Sequence, residues 1–207
     1  MKLGSIPFTI PDSRLGFPLA SAERKETIFR SYKIGPIKNQ QDNPWCVGFS
    51  IYNLLVAEPI IQTPFSPERI YKEARKRDLE NNDGIPGAKL NCAVDFLKEK
   101  GVIKSEFWTT SAEEVGQYIF TISPVVVSIP WKTGMDEVGK SGKMKLGGGY
   151  RGHHAVLAYA YDRLKDRIFF ANQWGEDWGD RGKFSLSMAD FKKLMGEGGI
   201  ACALVEK

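Results

Sequence analysis

The stretch "IKNQQDNPWCVGFSIYNLL" (residues 37–55) combines a glutamine pair, a proline, a tryptophan and one of only three cysteines. From Asn43 the pattern becomes helical: Asp42 or Asn43 can cap, Pro44 suits a first helical position, and mostly apolar residues follow. We therefore expect a buried helix with Cys46 near its start. Unpaired N–H groups and the helix dipole stabilise an anion there, so Cys46 is either a small apolar filler or a nucleophile.

Composition excludes several classes of function. The 207 residues are 42% hydrophobic and 26% charged, with a formal charge of +4 from scattered basic residues, so no nucleic-acid partner is expected. Three cysteines without a C-x-x-C pair make neither a disulfide framework nor a zinc knuckle, so we expect no metal, no cofactor and a reducing compartment. No apolar run reaches signal-peptide or membrane-spanning length. We expect a cytoplasmic protein with no membrane partner.

The chain changes its pattern near its middle. Residues 1–36 are rich in proline, glycine and polar residues and predict an extended N-terminal arm. Residues 37–122 carry further helix patterns, "SPERIYKEARKR", "LNCAVDFLKEKG" and "SAEEVGQYIF", the first and last of which begin with a serine cap. Residues 123–207 carry short β-branched runs between glycine-rich turns. The sequence therefore predicts an α+β fold with a mainly helical lobe, an antiparallel β-barrel-like lobe and a cleft between them.

Two further segments offer partners for a reactive thiol. His153 and His154 are the only histidines and head the apolar run "HHAVLAYAYD", where either could accept a proton. Asn172 follows another strand-like run, and an amide there could orient an imidazole through its second ring nitrogen. Spacing and composition do not show that these groups meet. A lone cysteine on a helix is more often a packing residue.

Taken together and in this order, "IKNQQDNPWCVGFS", "HHAVLAYAYD" and "ANQWGEDWGDRGKFSLS" resemble the three signatures of papain-like cysteine peptidases. The resemblance extends over residues 35–207. It implies Cys46 as the nucleophile, His154 as the base and Asn172 as the residue that orients it. It also implies that Gln40 donates to the oxyanion, and that Trp174 shields the histidine–asparagine hydrogen bond from water.

Asn43 and His153 are two of the positions at which the chain departs from the usual pattern of this family. Asn43 stands where many members have a disulfide-bonded cysteine, which is similar to bridge-poor bacterial or phage members. His153 precedes the base, where Asp or Asn is usual, and it is the weaker candidate for the base. Gln41 is the weaker candidate for the oxyanion donor, because Gln40 has the family spacing of six residues before Cys46. About 35 residues precede the body, too few for the usual helical inhibitory prosegment.

The resemblance also implies a substrate site. Asp83 and Gly84 would pair with an extended peptide backbone, and Ser128, Ala155 and Ala203 would line the main specificity pocket. These small or apolar walls favour an apolar residue two positions before the scissile bond.

We therefore expect a peptidase that acts on peptide or protein substrates through a Cys46 thioester. Two other classes remain open. The chain could be a catalytically silent peptide-binding module, or it could use the same thioester for acyl transfer or deamidation.

Overall fold

The computed structural model describes residues 2–15, 28–62, 65–78 and 84–206. The helices in these ranges are α1 (Cys46–Leu55), α2 (Pro67–Arg77), α3 (Leu90–Glu99), α4 (Ala112–Thr121) and α5 (Met188–Gly196). Serine side chains cap two of them as predicted: Ser66 accepts from the Arg69 N–H at 3.2 Å and Ser111 from the Glu114 N–H at 3.3 Å.

Seven strands of the described chain form one antiparallel sheet. They are β1 (Phe29–Ser31), β2 (Ile103–Thr109), β3 (Val125–Lys132), β4 (Tyr150–Asp162), β5 (Arg167–Ala171), β6 (Lys183–Ser187) and β7 (Ile200–Glu206). Their order is β2-β7-β3-β4-β5-β6, and β1 also pairs with β4. The sequence did not predict β1 or β2. β1 is exposed and has no alternation, and the middle of β2 is only partly buried, so neither carries a clear strand pattern.

The two faces of the sheet support two separate hydrophobic cores. One face carries Val126, Ala155 and Leu157 and packs against α1, α2 and α3. The other carries Val125, Val127 and Val156 and packs against α4 and α5. The near-continuous apolar runs in β3, β4 and β7 follow from this burial on both faces.

These elements confirm the predicted α+β class with an antiparallel sheet. The predicted boundaries at residues 36/37 and 122/123 remain predictions. The core assignment adds that α4, from the predicted helical half, packs with the second core through Val115 and Ile119. No helix in the described part of the chain has the length and apolarity needed to cross a lipid bilayer.

Candidate active site

The loop before α1 holds Gln40 in the interior. The Gln40 N–H donates to the Gln173 carbonyl (2.8 Å), and its Nε2 donates to the Asn43 carbonyl (2.8 Å). Gln40 is 1% exposed, whereas Gln41 is exposed at the surface with φ 53°. This difference favours Gln40 over Gln41 as a side chain that can act inside the cleft.

The first helix begins two residues later than predicted. Trp45 is its N-cap and Cys46 its first residue, so Pro44 lies outside the helix. The reason is a turn in which the Asn43 N–H (3.2 Å) and Nδ2 (3.0 Å) both donate to the Gln40 carbonyl, which holds the chain away from helical geometry. The Cys46 N–H is therefore among the first N–H groups of α1, which have no partner within the helix.

The sheet brings His154 and Asn172 together and fixes the tautomer of the ring. Asn172 Oδ1 accepts from the Gln173 N–H at 2.9 Å, so this end of the amide is the oxygen. His154 Nε2 lies 2.9 Å from the same oxygen and must carry the proton. The lone pair of the neutral ring is then on Nδ1, which is buried without a hydrogen-bond partner in the described part of the structure.

Aromatic rings enclose His154 on two sides. Trp174, as the resemblance implied, lies at a tilt with its ring centroid 4.8 Å from that of His154. Trp131 meets the same ring edge-on at 4.8 Å. Sequence reasoning missed Trp131, because only the pairing of β3 with β4 brings this residue next to the histidine. The two tryptophans exclude water from the histidine–asparagine hydrogen bond.

His153 has different surroundings from His154. Its carbonyl accepts from the Ser5 N–H at 3.4 Å, and its ring lies 6.0 Å from that of the exposed Tyr150. Asn172 contacts the ring of His154 and not that of His153. The geometry therefore favours His154 as the base.

Residues 2–6 of the chain, here named the cleft segment, occupy the cleft as an extended segment with isolated bridges from Ser5 to Ala88 and to His153. Ala88 pairs with it on one side: the Ala88 N–H donates to the Gly4 carbonyl (2.8 Å), and the Ile6 N–H donates to the Ala88 carbonyl (3.0 Å). On the other side, Ser5 Oγ lies 2.6 Å from Ser128 Oγ. The cleft thus holds a peptide backbone between the loop before α3 and the sheet.

The cleft segment reaches the two groups predicted to handle a scissile carbonyl. Gln40 Nε2 donates to the Lys2 carbonyl oxygen at 2.8 Å, so this amide binds a peptide carbonyl in the structure. The Gly4 backbone also lies close enough to the thiol of Cys46, which is fully buried, to lower the pKa of that thiol. A short extended segment therefore covers Cys46.

Burial keeps the thiol and the imidazole neutral in this arrangement. It raises the pKa of Cys46 to about 11, although hydrogen bonds from the backbone of Ala155 and Gly4 oppose the rise. It also lowers the pKa of His154 to about 4, against the opposing effect of the hydrogen bond to Asn172. A reactive thiolate requires that this cover be removed.

The predicted substrate residues divide into those that the structure brings to the cleft and those that it does not. Ser128 contacts the cleft segment, and Ala155 lies opposite Ser128 on β4. Ala203 is not brought to the cleft. It pairs with Val125 on the other face of the sheet, because alternate residues of a strand point to opposite sides.

Ile200, three residues earlier on β7, pairs directly with Ser128, on the face that packs against α1, α2 and α3. Ala203 therefore does not share a face with Ser128, as the expected pocket requires, because a shift by an odd number of residues reverses the face.

The loop before α3 differs in the same way from its prediction. Gly84 is exposed, and Ala88, four residues later, pairs with the strand in the cleft. Asp83 lies outside the described residues. Among the described residues, no group of three or more His, Cys, Asp or Glu side chains is placed to hold a metal ion, and all three cysteines are free.

Comparison with known proteins supports the fold through structure alone. No protein-family profile matches the sequence, and no curated protein is detectably similar to it. Xylellain, a cysteine protease from Xylella fastidiosa, is similar in structure with a TM-score of 0.78 at 14% identity, over 99% of this chain and 96% of that one.

Two further solved structures are similar at lower scores. Digestive procathepsin L 3 of the Tenebrio molitor larval midgut has a TM-score of 0.69 at 14% identity, over 93% of this chain and 74% of that one. The bromelain protease from Ananas comosus, in complex with the E64 inhibitor, has a TM-score of 0.60 at 15% identity, over 84% and 94%. The chain therefore has the papain-like fold predicted from its three signatures.

Proposed function

We propose that the protein is a cysteine peptidase that hydrolyses peptide bonds through a Cys46 thioester. One observation carries the proposal. A peptide backbone lies beside the Cys46 thiol with the Lys2 carbonyl bound by Gln40, and His154 has a tautomer that leaves Nδ1 as the basic nitrogen.

The proposed reaction follows from these positions. His154 Nδ1 takes the thiol proton, and the sulfur forms a C–S bond with the carbonyl carbon of the substrate. Gln40 Nε2 and the Cys46 N–H stabilise the oxyanion. The C–N bond then breaks as the protonated His154 gives its proton to the leaving amine. Water hydrolyses the thioester, releases the acid and restores the thiol.

The cleft segment makes the resting protein latent in this proposal. It occupies the place of a substrate, and it holds Cys46 and His154 in their neutral forms. Its removal admits water and substrate and favours the charged thiolate–imidazolium pair. The proposed substrates are extended peptides, and Ile200 and Ala155 favour an apolar side chain beside Ser128.

The test compares the wild type with Gly4→Leu, a full-length variant whose side chain cannot fit in the cleft. Both are incubated with fluorogenic peptides and with a thiol-directed epoxide, and the labelled residue is identified by mass spectrometry. We expect cleavage and Cys46 labelling by the variant, both lost on further Cys46→Ala substitution. If the variant neither cleaves a peptide nor is labelled at Cys46, the proposal fails.

The same experiment separates the two other classes of function. Labelling of Cys46 without cleavage, followed by incorporation of an added amine, indicates an acyl transferase. Peptide binding without labelling or cleavage indicates a silent binding module. Either result overturns the peptidase proposal.

A further inference from the structure

The cleft is narrow beside Cys46, where Gly4 of the cleft segment passes. Gly4 packs against the backbone of Pro44, two residues before Cys46, and its own backbone lies close enough to the thiol to lower the pKa of Cys46. Any peptide that presents a carbonyl to the same sulfur must pass through this place. The fit around Gly4 therefore describes the space open to a substrate.

The first wall of this passage is the backbone of Pro44. A Cβ added to Gly4 would lie 2.5 Å from the carbonyl carbon of Pro44 and closer still to its oxygen. These are backbone atoms, fixed between the turn at Gln40 and the start of α1. They cannot rotate away as a flexible side chain does.

The second wall is Gly87, which also lacks room for a side chain. A Cβ there would lie 2.6 Å from the Gly4 carbonyl oxygen, and its φ of 134° favours glycine. The Ala88 N–H holds the Gly4 carbonyl against this wall at 2.8 Å. The passage is therefore about one backbone wide.

We propose that the passage between Pro44 and Gly87 admits only glycine beside the Cys46 thiol. Pro44 and Gly87 thus determine specificity, and the substrates are peptides with glycine at the residue that takes the place of Gly4. The substrate statement rests on the proposed peptidase function, whereas the statement about the passage does not.

The first experiment tests the passage without catalysis. We measure the rate at which iodoacetamide alkylates Cys46 in the wild type and in full-length Gly4→Ala, with Thr9→Ala on the exposed part of the arm as control. We expect Gly4→Ala to expel the cleft segment and to raise the rate at least 10-fold, while the control stays within twofold of the wild type. An unchanged rate in Gly4→Ala overturns the proposal.

A second variant tests the opposite wall. Gly87→Ala should also raise the rate of Cys46 alkylation, because its Cβ meets the Gly4 carbonyl. Gly84→Ala is a control in the same loop: its φ of 75° also favours glycine, but its Cβ would meet nothing within 4 Å. Far-UV circular dichroism verifies that both variants are folded. Equal alkylation rates in the two variants contradict a constriction at Gly87.

The second experiment tests the substrates in the Gly4→Leu background. A quenched fluorescent peptide with glycine at the two residues before and the two residues after the scissile bond is compared with four versions, each of which carries alanine at one of these positions. We expect one version to be cleaved at least 10-fold more slowly than the parent peptide, which identifies the residue that takes the place of Gly4. Equal cleavage of all five peptides overturns the inference but leaves the peptidase proposal intact. Cleavage of none, in a variant whose Cys46 is labelled, counts against the peptidase proposal instead.

Discussion

Cys46 and His154 are both fully buried, but their surroundings differ in kind. Backbone groups of Ala155 and Gly4 lie near the thiol, and Gly4 belongs to an extended segment outside the seven strands of the sheet. Side chains surround the imidazole: Asn172, Trp131 and Trp174 all belong to the sheet or to the loop that follows β5. The surroundings of the thiol therefore include the cleft segment, whereas the side chains that orient the imidazole do not belong to it.

The largest expected effect removes the nucleophile itself. In the Gly4→Leu background, Cys46→Ala should lower peptide cleavage by on the order of 10⁴-fold or more, since no other group can form the thioester. Steady-state cleavage of a Gly-Gly peptide measures the loss. The matched control is Cys92→Ala, on a buried face of α3, which should keep its rate within twofold. A loss with Cys92→Ala as large as with Cys46→Ala would contradict the assignment.

The next largest expected effect distinguishes the role of the Gln40 amide, which binds a carbonyl, from that of the Cys46 thiol. Gln40→Ala should lower the turnover rate by about 10²-fold, because one oxyanion donor is lost, while epoxide labelling of Cys46 stays largely intact. Turnover and labelling are measured in parallel with Gln41→Ala, which faces solvent and should leave both unchanged. Equal losses in the two variants would show that the loop, rather than the Gln40 amide, matters.

The pH dependence of stability tests the imidazole. The pKa of His154 is about 4 in the folded protein, below its usual range near 6.5. The unfolded chain therefore binds more protons between these values. The contribution of His154 to the free energy of unfolding should be complete above about pH 6.5. The free energy of unfolding should then fall progressively as the pH decreases toward 4. Urea unfolding at several pH values measures this fall, which His154→Gln should reduce.

His153→Gln provides the comparison for that measurement. Burial lowers the pKa of His153 as well, but this residue is less completely buried than His154. Its substitution should remove a smaller part of the pH dependence. If His153→Gln reduced the pH dependence more than His154→Gln does, the result would contradict the deeper burial of His154.

The smallest expected effect concerns the hydrogen bond between the sheet and the cleft segment. Ser128→Ala removes the hydrogen bond to Ser5, which contributes about 1 kcal/mol, so Cys46 alkylation in the otherwise wild-type chain should rise about fivefold. The rate of iodoacetamide labelling measures it, with the exposed Ser31→Ala on β1 as control. No change in Ser128→Ala would mean that backbone pairing with Ala88 alone retains the segment.

The sequence predicted the parts of the site that depend on local pattern. Short motifs indicated the spacing of Gln40 and Cys46, the strand that carries His154 and the loop that contains Trp174. The α+β class followed from the change of pattern near the middle of the chain. Motifs of this kind can be recognised in the sequence without knowledge of the rest of the fold.

Features that depend on strand pairing or on distant backbone could not be predicted. Trp131 reaches His154 through the register of β3 and β4, and the same register places Ile200 rather than Ala203 on the cleft face. Backbone atoms form the passage between Pro44 and Gly87, and the amino-acid composition does not reveal where these atoms lie. Likewise, a stretch rich in proline and glycine gave no sign that Gly4 would lie against the thiol.

The cover over Cys46 also bears on the chemical lifetime of the protein. Peroxide attacks a thiolate far faster than a thiol, and irreversible oxidation would abolish the reactivity of the sulfur as a nucleophile. With its pKa raised to about 11 and no exposed surface, Cys46 remains a neutral thiol near neutral pH while the segment is in place. We expect the filled cleft to preserve the sulfur in reduced form and the open cleft to make it vulnerable, so that storage and activity require opposite states of the same five residues.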